Sequence, residues 1–302
     1  MNILVTGSNG FIGRHVCKWL KDHDCYVIGL GRRGVPVNCV DEYICCDLSD
    51  EKVTDILRER KGATLDAVVH LAADMRKEPY TTDVLFHNCV GTQRLLEFCE
   101  HTQIPVFVQL SSLPVIGHPV ENPITEEHPL APPTVYHVTK RTQELLANYA
   151  WYTHGLRTVS FRISSPVGTG SNPKTILPVF VKNAIAGDDL VLYGKGTRQQ
   201  NYVHVYDIAQ AIYKAILTDA QGVYNLGSHN LISNRDLAQK CIDITQSSSQ
   251  IIYADKEDPM DTYIWNVSLE KTRKDIGYQP QYDIEDAIRE IYEYEKNNSE
   301  NQ

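Results

Sequence analysis

Ile3-Leu4-Val5 followed by Thr6-Gly7-Ser8-Asn9-Gly10-Phe11-Ile12-Gly13 restricts the folds open to this chain more than any other stretch. The apolar triplet has the pattern of a strand buried on both faces. Ile12, Val16, Trp19 and Leu20 recur at helical spacing and predict a helix over Gly13–His23. A strand, a glycine-rich turn and a helix in that order bring free backbone N–H groups and a helix N-terminus over one point. The amides and the helix dipole there favour an anion such as a pyrophosphate. Gly7 allows the tight turn, Gly10 lets a phosphate approach the backbone, and Gly13 lets the helix pack close on the sheet. A glycine triplet alone is also the mark of an ordinary loop, so its neighbours must decide.

Strand and helix patterns alternate through the first half. Predicted strands are Tyr26–Leu30, Tyr43–Cys46, Ala67–Leu71, Val106–Leu110 and Thr158–Ile163. Helical patterns lie between them at Glu51–Arg60, Asn88–His101 and Tyr136–Thr153. This order predicts an α/β fold with a doubly wound parallel Rossmann sheet, helices on both faces and ligands at the carboxyl ends of the strands. Beyond Arg162 the texture changes. Pro166, Gly168, Gly170, Asn172 and Pro173 form a loop. Predicted helices follow at Ile176–Ala186, Asn234–Thr245 and from Asp283 onward, with a strand at Val191–Tyr193, a strand and helix within Tyr202–Leu217, and a strand at Val223–Leu226. We expect a dinucleotide-binding domain over 1–165 plus about 202–228. A smaller, discontinuous α/β substrate lobe is expected over 166–201 and 229–302.

Two further motifs carry chemistry. In Tyr136-His137-Val138-Thr139-Lys140 the tyrosine and lysine are four apart, on one helical face. A nearby ammonium lowers a phenol from its usual pKa of ~10, which suits general acid/base work. The same spacing also occurs on solvated helices. Leu110-Ser111-Ser112 ends a predicted strand where ligands bind in this architecture, so Ser112 can hold a substrate oxygen beside the tyrosine or simply cap a turn.

Gly7/Gly10/Gly13, Ser112 and Tyr136/Lys140 follow one another as in the extended short-chain dehydrogenase/reductases. The chain resembles the nucleotide-sugar epimerase/dehydratase branch of that family over nearly its whole length. Matching pieces include Cys46-Asp47-Leu48, His70-Leu71-Ala72-Ala73, Asn88-Cys89-Val90-Gly91-Thr92, Arg162, Gly196-Thr197, Tyr202-Val203-His204-Val205-Tyr206-Asp207 and Tyr224-Asn225-Leu226-Gly227. The resemblance implies that Tyr136 exchanges a proton with a sugar oxygen that Ser112 holds. It implies that Lys140 binds the nicotinamide ribose. Gly7, Asn9, Gly10, Phe11, Ile12, Gly13, Asp47, Leu48, Leu71, Ala72, Ala73 and Asn88 would line the cofactor, with Asp47 and Leu48 beside the adenine. Substrate contacts are expected from Asp74, Ser112, Ser165, Arg198 and Gln200, within loops around Asp74–Tyr80, Val167–Lys174 and Lys195–Gln200.

Departures from the family pattern narrow the reading. Members that prefer NAD end the second strand on an acid, whereas this chain has Gly31-Arg32-Arg33, so NADP(H) is favoured and NAD(H) is the alternative. Dehydratases of this branch carry Asp-Glu after the active-site hydroxyl residue. Here Leu113-Pro114 stand there, which argues for epimerisation or carbonyl reduction. The usual Arg-Asp before the Tyr-Val-His-Val segment is Gln200-Asn201, with Arg198 nearby. This keeps open a reductase of a non-nucleotide carbonyl. A non-catalytic dinucleotide sensor is the alternative from another class.

A net charge of −9 argues against nucleic acid or an anionic membrane as partner. No apolar run approaches the ~18 residues of a bilayer span, and no secretory pattern opens the chain. The eight cysteines form no Cys-x-x-Cys pair and read as reduced, mostly buried thiols without a metal. His118, His128 and His137 read as loop or surface histidines. A cytoplasmic protein is expected. Tyr149-Ala150-Trp151-Tyr152 is either core or the face of a homodimer.

Overall fold

The computed structural model describes residues 1–36, 39–59, 64–75, 82–229 and 231–300. Arg60 at the end of one predicted helix, residues 76–80 of one predicted substrate loop, and residues 301–302 lie outside the described residues.

The strands are β1 (Asn2–Thr6), β2 (Tyr26–Gly31), β3 (Glu42–Cys45), β4 (Ala67–His70), β5 (Val106–Ser112), β6 (Arg157–Ile163), β7 (Ser165–Val167), β8 (Leu190–Leu192), β9 (Gln199–His204), β10 (Gly222–Leu226), β11 (Leu231–Ser233) and β12 (Ile251–Tyr253). The helices are α1 (Phe11–Asp22), α2 (Val53–Glu59), α3 (Thr82–Leu85), α4 (Gly91–Thr102), α5 (Val135–His154), α6 (Ile176–Ala186), α7 (Val205–Leu217), α8 (Asn234–Thr245), α9 (Glu270–Ile276) and α10 (Ile284–Glu300).

Seven strands form one all-parallel sheet in the order β10-β6-β5-β4-β1-β2-β3. The order reverses between β1 and β4, and the crevice beyond their carboxyl ends is where such sheets bind ligands. Two apolar layers explain the alternation read from the sequence. Ile3, Val5, Val69 and Val108 face one layer with Val16, Leu20 and Ile208, whereas Leu4, Val68 and Phe107 face the other with Leu95 and Leu96. A third cluster, built on Phe180, Leu237 and Ile288, packs α6, α8 and α10 against one another.

Two differences from the sequence reading matter. First, β9 begins at Gln199 and pairs with β7 and β11 in a separate three-stranded sheet. Second, the predicted helix from Asn88 starts inside a π-helical turn, Phe86–Val90, and becomes α-helical only at α4. Asn88 makes buried tertiary bonds from this turn, and widened turns of this kind commonly mark functional positions.

Candidate active site

The glycine-rich turn is clasped on two sides. The Gly7 N–H donates to the Leu30 carbonyl at 2.8 Å, and the Gly10 N–H donates to the Gly7 carbonyl at 2.9 Å. Gly7 has φ +70°, and a Cβ there would lie 2.7 Å from the Ala72 nitrogen. A Cβ on Gly13 would stand 2.1 Å from the Gly7 oxygen. So Gly7 is required by the loop after β4, and Gly13 by the turn itself.

A buried polar chain fixes that approach. The Leu71 and Ala72 amides both donate to Thr6 Oγ1 at 3.2 Å. The Thr6 hydroxyl proton is therefore free for His70 Nδ1 at 2.7 Å, and His70 Nε2–H donates to Thr92 Oγ1 at 2.9 Å. Thr92 in turn donates to the Asn88 carbonyl at 2.7 Å. Burial pushes the His70 imidazole down to about 3, so it stays neutral. Asn88 closes the network: its Nδ2 donates to the Asp74 carbonyl and to Thr139 Oγ1, both at 2.9 Å, and its Oδ1 accepts from the Asp74 amide at 2.7 Å. Asp74 is buried, and its carboxylate lies 3.0 Å from His87 Nδ1.

Helix α5 is capped by Thr134, whose hydroxyl accepts the His137 N–H, and carries Tyr136, Lys140 and Glu144 one turn apart on one face. Lys140 is buried, donates to the Leu110 carbonyl at 2.8 Å, and sits 5.8 Å from the centre of the Tyr136 ring. The bond reaches β5 two residues before Ser112, its half-buried last residue. Burial pushes the Lys140 ammonium down to about 8. It also pushes the Tyr136 phenol up to about 12. The phenol thus moves opposite to the lowering expected from the ammonium, because desolvation dominates.

Glu144 escaped the sequence reading, although its position one turn beyond Lys140 marks the same face. Its carboxylate accepts from Ser111 Oγ at 2.6 Å, from Arg162 Nε and Nη2 at 2.9 Å each, and from Arg141 at 2.8 Å. Burial raises the carboxyl, but these donors overcome it and hold the group below the usual carboxylate range.

At the far end of the crevice, Gly31 closes β2 and Arg32 and Arg33 are exposed. Arg32 lies 3.8 Å from the Asp47 carboxylate, which also accepts from the Ser49 amide and hydroxyl. Leu48, expected beside the adenine, turns its side chain inward. It is a core residue, and a Cβ on Gly91 would lie 3.0 Å from its Cβ. Phe11, Ile12 and Ala73 are half-buried, and Leu71 packs against the core.

On the other rim, Ser165 of β7 and Gln200 of β9 meet at 3.3 Å between the hydroxyl and Oε1. Asn201 turns away, exchanging two 2.9 Å bonds with the Ser228 backbone. Arg198 follows a loop whose Lys195 and Thr197 amides donate to the Asp261 carboxylate at 2.7 and 2.9 Å. Its buried Nε has no partner among the described residues. Of the three histidines read as loop or surface groups, His128 is buried, accepting from the Val120 amide at 3.0 Å. Four cysteines are buried, three half-buried and Cys45 exposed, so fewer thiols are buried than expected. No described helix is long and apolar enough to cross a membrane.

Known proteins resemble this chain over nearly its whole length. The low-salt glycan biosynthesis protein Agl12 of Haloferax volcanii is 29% identical, over 97% of this chain and 98% of that protein. A dTDP-glucose 4,6-dehydratase of Streptomyces niveus is 27% identical, over 99% of this chain and 94% of its own. The crystal structure of a UDP-glucuronic acid 4-epimerase from Bacillus cereus, in complex with UDP-glucuronic acid and NAD, shares the fold at a TM-score of 0.84. It is 23% identical, and the match covers 98% of this chain and 99% of that one. The model of the NAD dependent epimerase/dehydratase family matches residues 3–227. With the parallel sheet and its glycine-rich turn, this makes the chain a member of the NAD dependent epimerase/dehydratase family, within the extended short-chain dehydrogenase/reductases.

Proposed function

We propose that this chain is an NAD(P)-dependent nucleotide-sugar epimerase or keto-sugar reductase working through Ser112, Tyr136 and Lys140. One observation carries the reading: Lys140, buried beneath the Tyr136 ring, ties α5 to β5 two residues before Ser112. A serine hydroxyl and a phenol that stays protonated at neutral pH suit a sugar oxygen that gains and loses one proton. Ser112 orients that oxygen, and Tyr136 moves the proton. Lys140 holds the nicotinamide ribose.

The residues present fit a dinucleotide. The turn at Gly7 and Gly13 has no room for a side chain, and it opens α1. When bound, the nicotinamide supplies or accepts the hydride. In this reading residues 1–165 with 202–228 hold the cofactor, and 166–201 with 229–302 shape the substrate site. NADP(H) is favoured over NAD(H), because Gly31 offers no carboxylate and Arg32 and Arg33 offer two exposed guanidinium groups. Among the substrate-side residues, Arg198 is the candidate for a diphosphate, with Ser165, Gln200 and Asp74 around the sugar. Leu113 is buried in the core and Pro114 has no proton to give, so neither serves 4,6-dehydration.

A reductase of a non-nucleotide carbonyl is the second reading, favoured by the missing diphosphate arginine, whose place in the family pattern Gln200 takes. A homodimer through α5 is part of the proposal, since Val138, Leu145, Tyr149 and Tyr152 are exposed along one stripe of that helix. A cytoplasmic setting accords with the free thiols.

The test is cofactor content and preference. Nucleotide released from the denatured protein is identified, and NADPH and NADH are titrated into the emptied protein. NADPH bound much more tightly supports a reductase with the arginine-lined pocket. Retained NAD+ overturns the arginine argument and points to an epimerase that regenerates its cofactor each cycle. Tyr136→Phe separates both from a sensor, whose cellular function it would leave unchanged.

A further inference from the structure

We propose that Tyr43 determines which dinucleotide this site accepts, by filling the space that a side chain at position 31 would need and by holding the loop of Arg32 and Arg33 against the glycine-rich turn. The inference rests on the reading of this crevice as a dinucleotide site. Tyr43 lies on β3, next to the end of β2. A Cβ built on Gly31 would stand 2.8 Å from the Tyr43 hydroxyl oxygen, with no other atom nearer than the same ring. An acidic residue at 31 would therefore have to displace one side chain, not the backbone.

The same hydroxyl is a fastener. It donates to the Arg33 carbonyl at 2.6 Å and accepts from Asn9 Nδ2 at 3.2 Å. Asn9 Nδ2 also donates to the Val35 carbonyl at 2.7 Å. Two residues, one from the glycine-rich turn and one from β3, thus pin both sides of the segment that carries the arginines. The guanidinium of Arg32 stays 59% exposed, with Asp47 at 3.8 Å as its neighbour, so it remains open to an incoming anion. The Asn9 Oδ1 atom is buried and without a partner among the described residues, beside the same segment. Three features of the adenosine end therefore depend on Tyr43: the missing carboxylate at 31, the seat of Arg33, and the orientation of Asn9.

The experiment measures NADPH and NADH dissociation constants by fluorescence titration, with thermal melting of each variant. Tyr43→Phe keeps the ring and removes the fastener. The ratio of the NADH to the NADPH constant is expected to fall roughly tenfold with melting little changed. Gly31→Asp alone is expected to weaken both dinucleotides at least about tenfold, because its Cβ meets the hydroxyl. Gly31→Asp with Tyr43→Val is expected to recover NADH binding while NADPH stays weak, since a carboxylate repels a 2′-phosphate. Gly31→Asp alone binding NADH as tightly as the unchanged protein overturns the proposal. A ratio unmoved in Tyr43→Phe overturns it as well. An unchanged protein that prefers NADH overturns the arginine reading instead, and the coupling of positions 31 and 43 is still decided on NADH.

Discussion

The Lys140 ammonium donates to the Leu110 carbonyl at 2.8 Å, and this bond locks α5 to the strand that ends in Ser112. The lysine is thus a structural tie as well as a charge beneath the Tyr136 ring. A buried ammonium is costly, and one carbonyl is a modest return for it. That imbalance makes the position sensitive to pH.

Burial takes Lys140 from 10.5 down to about 8. Between those values the unfolded chain holds a proton that the folded one lacks, so the folded state gains stability as pH rises. Urea unfolding of the protein and of Lys140→Met, at about pH 7.5 and about 9.5, should show the difference between them move in favour of the lysine protein. A constant gap would mean that the ammonium is better solvated than its burial indicates. Cofactor-dependent turnover of Lys140→Met is expected to fall by about 10²-fold or more.

Tyr136→Phe should lower kcat by roughly 10³-fold and leave binding of the dinucleotide within about twofold. The phenol hydroxyl makes no described hydrogen bond, and desolvation holds it protonated, up to about 12. Melting should therefore be nearly unchanged. Retained turnover would remove Tyr136 from the chemistry.

Glu144→Ala should destabilise the fold by roughly 3–5 kcal/mol, because it leaves the buried Arg162 guanidinium unpaired. Glu144→Gln keeps an acceptor for Ser111 and should cost less. The carboxyl is held below its usual value, so its contribution is present above about pH 4.5 and is lost as pH falls through the folded value. Equal melting of Glu144→Ala and the unchanged protein at neutral pH would show that the cluster adds nothing net.

Glu290 on α10 accepts from the Thr169 amide at 2.9 Å and faces His204 Nε2 at 2.7 Å. These partners bring it from 4.5 to about 2 despite burial. Its stabilisation is complete above about pH 4.5 and lost as pH falls to about 2, and for a partly exposed carboxylate amounts to about 2 kcal/mol. Denaturant unfolding of Glu290→Gln should converge with that of the unchanged protein across this range. A gap independent of pH would refute the account in which these partners hold the carboxylate ionised.

The local order of the chain was legible without a structure. Buried Val/Ile runs, glycines at fixed spacing and helical periodicity are local signals. They marked β1, β4, α1, α6 and α8 and the parallel sheet, because strand burial and helical faces repeat within a few residues. The same signals marked Tyr136 and Lys140 as neighbours on one face, since a helix places residues four apart together.

Tertiary structure decided what those side chains meet. Lys140 reaches Leu110, 30 residues away, and burial among separate elements pushes the phenol up. Leu48 went to the core, Asn201 to Ser228 and His128 to the Val120 amide, each through contacts that no local pattern encodes. Glu144, the Thr6–His70–Thr92 chain and Tyr43 beside Gly31 arise where strands and helices distant in sequence converge at the sheet's carboxyl edge. Periodicity fixes which face a residue occupies. The partner on that face, and with it the charge and proton affinity of the group, is set by the crossing of separate elements.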